Sequence, residues 1–456
     1  MLRLGLGAGA LAAAGRLRAA AVPALAALRR RPPNILMIVA DDMRHDLIGA
    51  LGDPMVCTPN LDRLAAGGTA FRSAHHMGGK FSAVCVPTRG ALLTGCNVFR
   101  AMVDPADNVI AQSRITIGEH LRLRGYDTYC VGKWHNDFGS LNRSFANGEG
   151  IFLRGLNRNQ YRMRVHHYDP TGAYGSHTAY DAQKFSSDFL ADHAVDYLGQ
   201  QDGNRPFFLY TAFTSPHDPR TPPSEYAELY PAERMKLPPN FLPCHPFDNG
   251  ELHVRDEDLA PHPRTAKRIR QEIAAYFGMV SSMDASIGRI LSALDDSGLA
   301  ENTIVVFTAD HGLAVGQHGL LGKQNLYEHS LRVPLVLRGP GVPAGARSDA
   351  LVYSWDTFPT LCDLAGQPAP RGLDARSLAP LFANPEAPHR RRLSALYRDF
   401  QRAAQDERWK LIEYTVGGRR RTQVFDLQND PWERHDLAAD SAAMAEAERL
   451  RPDLIC

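Results

Sequence analysis

The sequence predicts an α/β protein with a largely parallel central sheet flanked by helices, and a small C-terminal α+β subdomain. Three observations predict it. From Asn34 onward, apolar runs bounded by turn residues alternate with helical patterns. Four of those runs end in ionisable residues, and open α/β sheets gather ligands at the carboxyl ends of their strands. Past Pro388 the pattern changes to short strands and one terminal helix. Composition agrees: 456 residues, 44% hydrophobic and 22% charged, can bury sizeable cores and exclude a disordered, collagen-like or coiled-coil chain.

Taken in order, residues 1–33 form a leader with six arginines, no acidic residue and an apolar tract from Leu4 to Gly15. Two readings stand. A secretory signal would make the protein periplasmic or secreted; a basic disordered leader or a misplaced start would leave it cytoplasmic. A catalytic domain is expected over 34–385 and the subdomain over 386–456. The first strand, Ile35 to Ala40, ends in Asp41-Asp42, and Thr58 is placed to cap a helix that begins at Pro59 and stops at Gly67-Gly68. Thr128 to Val131 runs into Gly132-Lys133-Trp134-His135, Phe207 to Phe213 into Ser215-Pro216-His217, and Thr303 to Ala309 into Asp310-His311. A helix from about Thr265 to Asp296 carries the apolar stripe Ile269, Ile273, Phe277, Val280, Ile287, Leu291 and Leu294, and reads as scaffold. The proline-rich stretch Gln367 to Pro388 reads as a linker. Beyond it, Leu393 to Tyr397, Trp409 to Tyr414 and Thr422 to Leu427 read as strands and Ala442 to Leu450 as a helix, while Arg390-Arg391-Arg392 and Arg419-Arg420-Arg421 read as surface turns.

Lys and Arg number 51 against 50 Asp and Glu, a formal charge of +1, so no overall field favours nucleic acid or an anionic membrane. Any anion must be bound locally. Seven cysteines without a C-x-x-C pair fit neither a disulfide scaffold nor a zinc ribbon. Beyond the leader, no run approaches the roughly 18 apolar residues of a membrane span.

Two pairs carry the first chemical signal. Asp41-Asp42 and Asp310-His311 each follow a predicted strand. Clustered carboxylates repel one another unless a cation holds them, and mainly oxygen donors favour a hard divalent ion such as Ca²⁺ or Mg²⁺. The second signal is Cys85-Val86-Pro87-Thr88-Arg89-Gly90-Ala91-Leu92-Leu93-Thr94-Gly95. Pro87 suits a first helical turn and Gly95 its end, which puts Cys85 at a helix N-terminus, where N–H groups and the dipole attract anions. Arg89, one turn along, adds a fixed positive charge.

With Cys85-x-Pro87-x-Arg89 and Leu93-Thr94-Gly95 in hand, the chain from about Asn34 to its end resembles the sulfatase family of the alkaline-phosphatase-like superfamily. Asp41-Asp42, Gly132-Lys133-Trp134-His135, Ser215-Pro216-His217, Asp310-His311-Gly312 and Gly322-Lys323 match in the family's order. The resemblance implies an alkaline-phosphatase-like fold and hydrolysis of a sulfate ester. It also implies that a formylglycine-generating enzyme oxidises Cys85 to formylglycine. The metal, calcium preferred over magnesium, would be held by Asp41, Asp42, Asp310, His311 and an oxygen of the hydrated formylglycine at Cys85. That oxygen would attack sulfur, and the second hydroxyl would then lose its proton to His135 as sulfate leaves. Arg89 and Lys133 would offset charge near the nucleophile and sulfate; His217 and Lys323 would contact sulfate and assist departure of the alcohol.

Some positions depart from the family pattern. His311 stands where many members have asparagine, Thr88 replaces the commoner serine, Cys96 stands where a basic residue often follows, and Asn136-Asp137 replace Leu-Gly. The substrate is expected to be a sulfated small molecule or sulfated sugar. Arg154, Arg158, Arg162, Arg164, His166 and His167 are either the lining of an anionic-sugar pocket or a solvated basic loop. His318 and His329, flanking Lys323, have no assignable role. A phosphonate monoester or phosphodiester hydrolase using the same residues is the alternative, since both ester classes are tetrahedral oxyanions.

Overall fold

A computed structural model describes residues 31–80, 84–103 and 108–455; most of the leader lies outside the described residues. Its strands are β1 (Asn34–Asp41), β2 (Thr69–Phe71), β3 (Ala74–His75), β4 (Gly78–Gly79), β5 (Asp127–Lys133), β6 (Asn147–Phe152), β7 (Met163–His166), β8 (Ala179–Ala182), β9 (Phe207–Pro216), β10 (Thr303–Ala309), β11 (Leu335–Arg338), β12 (Ala346–Ser348), β13 (Val352–Tyr353), β14 (Leu393–Tyr397), β15 (Gln401–Gln405), β16 (Trp409–Val416) and β17 (Arg419–Asp426). Ten form the main sheet, in the order β12-β2-β11-β10-β1-β9-β5-β6-β7-β8. Its centre, β10-β1-β9-β5-β6, is parallel, and antiparallel pairing is confined to the flanks. Every residue of β1, β9 and β10 is buried, which is why these strands read as unbroken apolar runs.

The helices that position the site are α1 (Pro59–Ala66), α2 (Cys85–Thr94), α3 (Ser186–Gly199) and α4 (Ala266–Asp296). Thr265 caps α4 by accepting from the Arg268 N–H, and the seven stripe residues are all buried. At α1 the sequence expectation fails in one respect: Thr58 makes no cap bond there. Its hydroxyl is taken up with the Gly49 N–H and Asp62. Asp284, from the middle of α4, caps α1 instead, accepting from the N–H groups of Asn60 and Leu61.

The C-terminal sheet, β17-β16-β15-β14-β4, is antiparallel except at β4, a dipeptide from the N-terminal half that joins its edge. Helix α5 (Ser441–Glu448) packs against β16 and β17. The stretch 367–388 has its own helical turn at Ala379–Ala383 and buries Leu378 and Leu381 in the main core. Arg390 is no surface turn: it is buried with its guanidinium on Asp356. Arg419 to Arg421 are exposed but lie on β17. Among the described residues, no helix is long and apolar enough to cross a membrane.

Candidate active site

Four strand ends of the parallel core meet at one place. Asp41 closes β1, Lys133 closes β5, His217 follows β9, and Asp310 and His311 follow β10. Helix α2 points its first residue, Cys85, into the same region and ends at Gly95 in the left-handed conformation (φ 63°) that a side chain would resist. Asp41, Asp42, Asp310 and His311 are buried, with ligand atoms all within 4.8 Å of one another; Cys85 Sγ keeps that distance from Asp310 and His311.

The cations interlock with these carboxylates. Lys133 Nζ donates to Asp41 Oδ2 (2.6 Å) and to the Gly155 carbonyl (2.8 Å). Arg89, fully buried, donates from Nε to Asp310 Oδ2 (3.0 Å) and from Nη1 to the Lys133 carbonyl (3.0 Å). Lys323 Nζ donates to both oxygens of Asp42 (2.7 and 3.0 Å). His217 lies 3.6 Å from Asp42 through Nε2, and its Nδ1 contacts Asp218. His311 Nδ1 is 3.1 Å from Asp42 Oδ1. His135, left-handed at φ 59°, shares a hydrogen bond with the Cys85 thiol.

The charges respond to this crowding. Burial pushes the Asp41 carboxyl up to about 7 against the pull of Lys133. Burial works the same way on Asp42 and Asp310, but His217, Lys323 and His311 overcome it at Asp42, and His311, Arg89 and Lys133 at Asp310, holding both below the usual carboxylate range. His217 rises to about 9 because Asp42 and Asp41 outweigh its burial. The Cys85 thiol, also buried, is drawn well below its ordinary value by Lys133, His135 and Lys323. Burial holds His135 down.

The residues fit a divalent cation. Asp41 Oδ1 and His311 Nε2 are buried without a hydrogen-bond partner, and an orphaned buried acceptor is costly unless something occupies it. Three carboxylates and one imidazole form a mainly oxygen donor set.

A cavity of about 380 Å³ opens onto these groups, lined by Cys85, His135, Gly155, Leu156, His217, Val254, Arg255, Asp256, Lys323 and Gln324. Every residue expected at the site from the sequence is therefore brought together here, either lining the cavity or in the charge cluster beneath it. The basic stretch is not: Arg162 and Arg164 pair with Asp181 at the surface, and His167 pairs with Glu149. Sequence reasoning missed Gly155, where a Cβ would come within 2.4 Å of His135 Nε2. It also missed the wall formed by Arg255, Asp256 and Gln324. Neither has a local signal.

Similarity to known proteins agrees with this geometry. Residues 33–367 match the Sulfatase family, and residues 316–455 match the C-terminal part of N-sulphoglucosamine sulphohydrolase. The chain therefore belongs to the sulfatase family. It is a sulfuric ester hydrolase. A protein described as a sulfatase from Formosa agariphila is 29% identical, over 88% of this chain and 82% of that one. A structure solved with its substrate D-glucosamine-2-N,6-O-disulfate has the same fold, at TM-score 0.77 and 21% identity, covering 92% of this chain and 96% of its own. The phosphonate monoester hydrolase of Agrobacterium radiobacter superposes at TM-score 0.73 and 25% identity, covering 92% of this chain and 95% of its own.

Proposed function

We propose that this enzyme removes sulfate from a sugar, using formylglycine made from Cys85 and a divalent ion, calcium before magnesium, held by Asp41, Asp42, Asp310 and His311. The observation that carries it is the meeting of Cys85 with His135, His217 and Lys323 on one cavity, above the charge cluster. The bound ion would supply positive charge that acidifies an oxygen nucleophile and polarises the ester; formylglycine would supply that oxygen where a thiol would be a soft, poorly matched donor.

The protein's own groups do the rest. Arg89 fixes Asp310 and the end of β5, so Lys133 and Asp310 keep one geometry. Lys133 and Lys323 offset the anionic charge of sulfate beside the nucleophile. His135, in hydrogen-bond reach of position 85, takes up a proton there. His217, on the cavity wall with its Nε2 3.6 Å from Asp42, is the acid for the departing alcohol. The cavity suits one sugar ring: its wall is polar, with Arg255 bonded to Asp218 and Asp256 and Gln324 donating to Asp256 (2.7 Å). Activity on sulfated glucosamine, as in the superposed complex, is the first specificity to test.

The test is the mass of the peptide containing position 85, from protein purified from its own source. An aldehyde or its hydrate is expected; an unmodified thiol ends the proposal. A phosphonate monoester or phosphodiester hydrolase is the second reading, favoured by the likeness to the Agrobacterium enzyme. Parallel assays of sulfated sugars, p-nitrophenyl sulfate and phenylphosphonate esters separate the two: faster turnover of the phosphonate would move the assignment.

A further inference from the structure

Consecutive side chains of an extended strand point to opposite faces. Asp41 and Asp42 are consecutive, yet both carboxylates reach the same cluster with Asp310 and His311. The backbone shows how. The pairing of β1 with β9 shifts register between Val39 and Asp41, and Asp42 takes a left-handed conformation at φ 66°. That conformation is unfavourable for any residue with a Cβ, although aspartate tolerates it better than most. Something must hold it.

Two bonds do. The Asp42 N–H donates to Asp310 Oδ1 (3.2 Å), inside the cluster itself. The Asp42 carbonyl accepts from the hydroxyl of Tyr276 (2.5 Å), and the same hydroxyl accepts from the Arg44 N–H (3.1 Å). Tyr276 thus spans the turn from both sides with one oxygen. It is fully buried in α4, the helix that also caps α1 through Asp284, and the Arg220 guanidinium lies over its ring at 5.4 Å.

We infer that Tyr276 is a positioning residue for the metal centre: its hydroxyl pins the left-handed turn at Asp42, so that two adjacent aspartates present their carboxylates to one cation. The inference rests on Asp41, Asp42, Asp310 and His311 being the metal ligands. Removing the hydroxyl leaves a buried carbonyl and a buried N–H without this shared partner, and the turn relieves that by rotating at Asp42, which withdraws its carboxylate. The helix is then part of the site's machinery and not only its scaffold.

The experiment titrates Ca²⁺, with Mg²⁺ in parallel, into chelator-stripped full-length wild type and Tyr276→Phe, read by calorimetry with no substrate present. The dissociation constant of the variant should rise about 10- to 100-fold, the range for losing a group that orients a metal ligand. The thermal upshift given by saturating Ca²⁺ should persist once the higher concentration is reached. If Tyr276→Phe melts lower but binds Ca²⁺ within twofold of wild type, the hydroxyl is merely structural and the inference is overturned. If wild type binds neither ion, the ligand set fails, and the inference with it. Should Tyr276→Phe not fold, Tyr276→Met, which fills the space without a hydrogen-bonding hydroxyl, replaces it: a raised dissociation constant supports the inference, and wild-type affinity overturns it.

Discussion

Among the described residues, two of the clusters of buried charge differ in what they face. The first, around Asp41, Asp42, Asp310, Arg89, Lys133 and Lys323, borders the cavity that holds Cys85, His135 and His217. The second joins Lys410 on β16 to Glu328 (3.0 Å) and Glu433 (2.8 Å), with His75 on the other oxygen of Glu328 (3.0 Å) and His318 and His329 close by. None of these lines that cavity. Glu433 also accepts from the Glu328 N–H (2.8 Å), so the cluster ties the C-terminal sheet to the loop after Lys323. Both clusters cost desolvation, and neither is evidence of stability in itself. Both hold lysines on their carboxylates and both keep buried polar atoms without a hydrogen-bond partner, Asp41 Oδ1 in the first and Glu433 Oε1 in the second; only the first borders the cavity. Burial of charge alone does not mark an active site. Its access to a cavity does.

That contrast can be broken by experiment. Cys85→Ala should lower turnover on the order of 10⁴-fold or more while the melting temperature stays near wild type, because on the proposed function the loss falls on the reacting group. Appreciable turnover would remove position 85 from the chemistry. Lys410→Met should do the opposite. It leaves Glu328 and Glu433 buried without their cation, at about 3–5 kcal/mol of stability. Its kcat/KM at a temperature where it is folded should stay within about twofold of wild type. A large kinetic defect in the folded variant would mean the clusters are coupled.

Gly155→Ala sharpens the comparison within the first region. The new methyl meets the imidazole of His135 at 2.4 Å, and the ring must move from Cys85 or the loop must shift. A misplacement of that size costs about 10²-fold in kcat/KM. An unchanged rate would show that His135 needs no fixed place.

The smallest effect is expected from acid. His318 in the second region is stacked on Tyr327 at 3.9 Å, and burial pushes its ring down to about 3. The unfolded chain takes up this proton near the ordinary histidine value of 6.5, and the folded protein does not until about 3. Between those values the unfolded state binds more protons, so stability falls as pH falls, by about 1.4 kcal/mol per pH unit for this ring. His318→Gln should lose less melting temperature than wild type between neutral pH and about pH 4.5. An identical slope would place the acid sensitivity elsewhere, with His76, also held down to about 3, the first alternative.

The parallel core and most of the site are legible in the order of residues along the chain. Strands covered on both faces must be continuously apolar, so β1, β9 and β10 announce themselves. The candidate site residues Asp41, Lys133, His217 and Asp310 sit where such strands end and can be read one local segment at a time. Strand β15, Gln401–Gln405, with two glutamines and an arginine in five residues, carries no strand signal and exists because β14 and β16 pair with it. The dipeptide β4 is a strand only because Leu396 and Tyr397 lie beside it.

Sequence by itself determined which residue types cluster and in what order, because the candidate site groups follow buried strands and helix starts, and both leave local patterns. Only the tertiary structure decided what holds those groups. Asp284 caps α1 from 223 positions away, Tyr276 braces Asp42 from 234, and Gly155 makes room for His135 through a loop that no periodicity marks. The physical reason is that a hydrogen bond or a close approach depends on distance in space, and distance along the chain carries no information about it until the sheet has folded.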